Sequence, residues 1–232
     1  KVRQLYLGHV ETFVDSYKDV LLDLTLEPRY WQLHVDTENI QGMISIPLSS
    51  ADPWLYELDK FVINTRRGLP GEEAVTADTP DEPADSVKEP EIKQPAASSV
   101  FTDINPSSVQ NANVSIKNLF MDQEDAGSIA FTMRSDEQGL MISELIGDFR
   151  LVTFGTVERP AQLHWYRGET GDHSAFNAEL KFRSLGDVFD RWGYDRLIEN
   201  KKGRVNRDIQ WPAKPDEWTL EQSEGQYNLS LV

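Results

Sequence analysis

The chain has 232 residues, of which 39% are hydrophobic and 27% charged, and its net charge is -16. That is enough apolar content for a folded body with a sizeable core, as one large domain or two small ones. The charge disfavours a nucleic-acid partner and simple docking on anionic lipid surfaces, and the lack of cysteine excludes disulfides and thiolate metal sites.

The chain opens at Lys1, without a Met, on a strand-like run (Val2, Leu5, Leu7). Period-two alternation then dominates. Leu22, Leu24 and Leu26 alternate with Asp23, Thr25 and Glu27; Trp31, Leu33 and Val35 alternate with Gln32, His34 and Asp36. Each run predicts a strand with one greasy and one wet face. Another strand is expected at Tyr56–Ile63.

From about Gly68 to Ser99 the pattern stops. Between Gly68 and Gln94 there are eight acidic residues against two lysines, and prolines fall at 70, 80, 83 and 90, with another at 95. Such a segment buries too little apolar surface to offset its ordering entropy, so we expect a disordered insertion. The chain thus divides into a first set of strands at 1–67, the acidic insertion at 68–99 and a second set at 100–232.

Alternation resumes at Val114–Leu119 and continues through Ile129, Phe131 and Met133, then Leu163 and Trp165, then Phe176, Ala178, Leu180 and Phe182. Turn signals separate the runs: Glu27-Pro28, Gln138-Gly139, Arg159-Pro160, Gly168 to Gly171, and Glu224-Gly225. Ser184 to Gly193 breaks the period. There Leu185, Val188, Phe189 and Trp192 follow helical spacing, with Ser184 placed to cap the start and Gly193 to end it. We expect a short amphipathic helix whose apolar stripe packs on the greasy face of the sheet. The last strand carries Tyr227, Leu229 and Leu231. Strand runs at both ends lead us to expect a piece of a longer protein.

Little points to catalysis. There is no nucleophile elbow, zinc-protease motif, phosphate-binding glycine loop or calcium loop, and no stretch near eighteen consecutive apolar residues. His9, His34, His164 and His173 are not spaced as a metal site. Glu144 and Asp148 lie too far apart along one strand face for a glycosidase dyad and read as a solvated edge. We therefore expect no catalytic residues, metal or cofactor. The six tryptophans are more informative. Several end an alternating strand, where an aromatic can close an apolar face at the water boundary, although simple core packing reads as well.

Several blocks resemble a known family. They begin with Trp31-Gln-Leu-His-Val-Asp36 and Gly42-Met-Ile-Ser-Ile-Pro47. Asn105-Pro-Ser, Asn113 to Leu119, Gly147-Asp-Phe-Arg-Leu-Val-Thr-Phe154 and Gln162-Leu-His-Trp165 follow. The most specific are Leu185-Gly-Asp-Val-Phe-Asp-Arg-Trp-Gly-Tyr194, Glu199 to Gly203 and Gln210-Trp-Pro-Ala213. This order is similar to the later part of YhdP-type proteins of the AsmA-like family, which also holds TamB, in Gram-negative bacteria. The resemblance covers about Trp31 to Val232 apart from the insertion. It implies a mainly β fold, a long curved antiparallel sheet forming an open hydrophobic groove, with one short helix. It also implies the periplasmic part of a protein anchored in the inner membrane, with phospholipid as cargo. Further implied partners are the remaining strands of the full-length protein and proteins of the inner and outer membranes. The resemblance brings no active site.

We expect Leu33, Val35, Ile129, Phe131, Leu163, Trp165, Leu180 and Phe182 to share a concave apolar face that shields acyl chains. Gln32, His34, Gln162, His164, Glu179 and Lys181 should face the other way. The competing expectations are a β-sandwich module that binds polysaccharide or a protein, and a spacer with no ligand.

Overall fold

The computed structural model describes residues 2–11, 16–63, 101, 104–121, 123–192, 202–219 and 221–231. The expected insertion at 68–99 and the expected helix end at Gly193 lie outside these residues. The strands are β1 (Val2–Glu11), β2 (Ser16–Leu26), β3 (Tyr30–Asp36), β4 (Ile40–Pro47), β5 (Trp54–Ile63), β6 (Ala112–Met121) and β7 (Glu124–Asp136). They continue with β8 (Gly139–Phe149), β9 (Val152–Phe154), β10 (Ala161–Gly168), β11 (Gly171–Phe182), β12 (Gly203–Trp211) and β13 (Glu224–Leu231). One helix, α1 (Leu185–Trp192), lies between β11 and β12.

All thirteen strands form one sheet, ordered almost as in the sequence. Hairpin connections between one-sided strands produce this meander. Two features interrupt it. The short β9 bridges the ends of β8 and β11, outside the main path. And β5 pairs with β6 in parallel, Trp54 opposite Ala112 and Ile63 opposite Met121, whereas all other pairs are antiparallel. A parallel pair needs a long return crossing, and the chain between Ile63 and Ala112 supplies the length. The sheet is antiparallel as expected apart from this one pair. Alternation assigns faces but not strand direction, so this pair was not visible in the sequence.

The sandwich expectation requires a second sheet. Among the described residues there is one sheet, and extensive strand–strand contact occurs only between sheet neighbours. Among the described residues neither β1 nor β13 pairs on its outer side, so the sheet they form is open. Its core is nonetheless real. Leu58, Ile116, Leu119 and Ala126 form one buried cluster, and Leu22 with Val35 forms another. Leu58 is only 5% exposed and Ile116 only 8%. In a flat single layer such side chains would keep one side in water. Here side chains of the same face, among them Ile44, Tyr56, Phe61, Val114 and Ile129, pack against the larger cluster and screen it.

The ladder also carries local irregularities that bend strands. Register shifts interrupt the β4–β5, β6–β7, β7–β8 and β8–β10 ladders, and each extra residue bends its strand and steepens the twist. Glu144 is the extra residue in β8 and takes φ 52°. It brings Ile142 and Leu145, three apart in sequence, onto one face. Gly42 is required for close approach. Its φ is 143°, and a Cβ there would lie 2.4 Å from the Glu57 carbonyl oxygen and 2.7 Å from Leu58 Cα.

Candidate functional site

Cross-strand partners share a face, so the register traces the composition of each surface. One row begins Leu22, Val35, Gly42, Leu58, Ile116 and Ile129. It continues through Gly147, Phe154, Leu180, Val205 and Leu229. Every member is apolar or glycine. At about 4.8 Å between strands the row is roughly 48 Å long. A parallel row, from Ala112 through Met133, Ile142, Leu163 and Phe176 to Ile209, is apolar as well. Together they make a continuous stripe across the strands, along the long axis of the sheet.

All eight residues singled out from the sequence lie on this face. Leu33 joins it through Ile44 and Tyr56, and Phe131 through Val114. They are not equally accessible. Leu33, Ile129, Phe131, Leu163 and Leu180 are half-buried, while Val35 and Phe182 are nearly enclosed. Trp165 is fully enclosed. Phe101 meets its ring edge-on at 5.3 Å, so it is part of the scaffold and no open lining residue. The polar set occupies the other surface, with Gln162 opposite Asn177 and Lys181 opposite Arg204. Glu144 and Asp148 accept hydrogen bonds from Thr132 and Thr153 of neighbouring strands on that surface.

Short crossing segments cover the margins of the apolar face. At one margin Pro106 is buried in a single 3-10 turn (Pro106–Ser108), and its carbonyl accepts from Ser135 Oγ at 2.7 Å. Trp165 Nε1 donates to Asp172, which Arg167 also grips at 3.0 Å. Further along, Trp211 Nε1 donates to the Lys214 carbonyl and Ser174 Oγ to that of Ala213, which fastens 212–219 over the face. At the opposite margin Ser184 caps α1 through the Asp187 N–H. Trp192 meets Phe149 edge-on at 5.7 Å and donates to the Arg150 carbonyl. The helix therefore packs on the apolar face as expected, and its described part is Leu185–Trp192. Two tryptophans thus use the indole N–H to fasten a segment at the margin, Trp211 at the end of β12 and Trp192 at the end of α1.

One lining residue was missed. Arg207 lies on the apolar face, opposite Ala178 on one side and Tyr227 on the other. Its guanidinium carbon is 5.1 Å from the centre of the Trp218 ring and 5.5 Å from that of Tyr227. Burial lowers its pKa from the usual value, and the nearby Tyr227 opposes the shift. Arg207 Nε and Trp218 Nε1 are buried donors without an acceptor. The signal was present in the strand alternation of Val205, Arg207, Ile209 and Trp211, which puts position 207 among the apolar ones.

Among the described residues no group of three or more potential ligands could hold a metal ion, and no helix is long and apolar enough to cross a membrane. A family model described as YhdP protein matches residues 3–232. No curated protein and no solved structure matches the chain.

Proposed function

The chain belongs to the YhdP family, and from that premise we propose that it is a stretch of an envelope lipid conduit, in which the apolar face shields phospholipid acyl chains between the inner and outer membranes. The observation that carries this reading is the unbroken apolar row from Leu22 to Leu229 on a sheet with no second sheet over it among the described residues. An acyl chain of about sixteen carbons loses roughly 12 kcal/mol of burial on entering water, at about 0.8 kcal/mol per CH₂. A continuous apolar surface removes most of that barrier, while a headgroup stays in water at the open side.

Movement also needs similar affinity at successive positions, because a deep local site would trap the lipid. The row meets this need by repetition, with aliphatic side chains at most strands, one phenyl ring at Phe154 and glycine at 42 and 147. On this reading the chain performs no covalent chemistry and needs no cofactor. It works in the periplasm as part of an inner-membrane-anchored protein, and its outer strands β1 and β13 continue into the rest of the full-length sheet. Lipid extracted from the purified full-length protein and identified by mass spectrometry tests the reading. Stoichiometric phospholipid is the expected result, and a lipid-free protein that fails to take up added phospholipid would leave only a spacer.

A further inference from the structure

We propose that Arg207, flanked by Trp218 and Tyr227, is a binding station for the phosphate of an acyl lipid whose chain lies along Val205, Leu180 and Phe154. The inference rests on the conduit reading and adds to it one place, at β12, where the headgroup phosphate leaves water for a guanidinium; a contribution of about tenfold in affinity there slows a passing lipid without trapping it. An arginine on an apolar face is costly to desolvate unless something there repays the cost. None of the ion pairs among the described residues includes Arg207. The two aromatic rings stabilise the cation through their π-faces. They leave hydrogen-bond donation unanswered, because guanidinium donors point outward from its edge.

Two buried donors, Arg207 Nε and Trp218 Nε1, belong to this one contact and lack an acceptor. An oxyanion answers both needs at once, charge and hydrogen bonds, and phosphate offers several oxygens to a guanidinium. The setting excludes most other anion sources. Val205 is two residues from Arg207 on the same face, about 6.6 Å along the strand, and opens directly onto the long apolar row. A ligand that used the station and its surroundings would carry a phosphate at one end and hydrocarbon at the other. The segment 212–219, which holds Trp218 over the face, is fastened by the Trp211–Lys214 and Ser174–Ala213 hydrogen bonds. The backbone that carries Trp218 is therefore tied to the sheet beside Arg207.

The test is equilibrium binding to the full-length protein of phosphatidylglycerol and of diacylglycerol, both with the same fluorescent acyl chain. Arg207→Gln is expected to weaken phosphatidylglycerol binding about tenfold and to leave diacylglycerol unchanged, with Arg207→Lys in between. An unchanged thermal transition shows that the variants are folded. Phosphatidylglycerol binding that survives Arg207→Gln overturns the station and leaves the conduit intact. An equal loss for both lipids also overturns it, making Arg207 a packing residue. Excess inorganic phosphate is expected to compete poorly; full displacement would assign the site to free oxyanions and overturn the lipid assignment. If the unaltered protein binds neither lipid, the conduit reading fails, and the station fails with it.

Discussion

Leu58 and Ile116 stand side by side in the one parallel strand pair of the sheet, and both are buried. They join the first set of strands to the second. Without their register the apolar row would break in the middle. Removing side-chain volume here should therefore cost more than on any half-exposed strand. Ile116→Ala is expected to destabilise the fold by about 2–4 kcal/mol through lost burial and an unfilled cavity. Urea unfolding of the 232-residue chain measures this, with Ile129→Ala, at a half-buried position, as the milder comparison.

Gly42→Val tests the close approach of β4 and β5. The added Cβ would collide with backbone of Glu57 and Leu58, and φ 143° is closed to a β-branched residue. The expected loss exceeds about 2 kcal/mol and should be local at first. Hydrogen exchange should therefore quicken in Ile40–Pro47 and Trp54–Ile63 before it does in β10–β12.

The pinning role of Trp192 predicts a separable effect. Trp192→Phe keeps an aromatic ring against Phe149 but removes the N–H that donates to Arg150. We expect a loss of about 1 kcal/mol, confined to α1. Faster amide exchange across Leu185–Trp192, with the sheet unchanged, would be read by mass spectrometry.

The outer edge of β13 predicts association. Its residues are all exposed, and on the apolar face Leu229 is 57% and Tyr227 38% exposed. An unpaired edge beside apolar side chains is a template for another strand. The isolated chain should sediment as concentration-dependent oligomers, and Leu229→Lys should shift it towards monomer. The acidic stretch at 68–99 opposes association by charge, so its deletion should worsen it.

The faces of the sheet were legible because alternation is local: a strand at Leu33–Val35 or Leu180–Phe182 declares its apolar side without knowing its neighbours. Three things were not legible, each for a physical reason. The parallel pairing of β5 and β6 depends on contacts far apart in sequence. The enclosure of Trp165 involves contact with Phe101, 64 residues away in sequence, which no period can announce. The bulge at Glu144 shifts the alternation by one residue, so a strict period-two reading through Ile142 and Leu145 fails there. Arg207 is a different case. Its place on the apolar face follows from the strand pattern, but a search for greasy residues alone passes over a charged one.

The most direct test of the account is photo-crosslinking in living cells. A photoreactive residue is placed in the full-length protein at Leu33, Ile129, Leu163 or Leu180 on the apolar face, and at Gln32, His34, Gln162 or Lys181 on the other. Trp165, enclosed and in contact with Phe101, serves as an internal control. The account predicts phospholipid adducts from the first set and none from the second or from Trp165. Equal capture from both faces, or none from the apolar one, would contradict it.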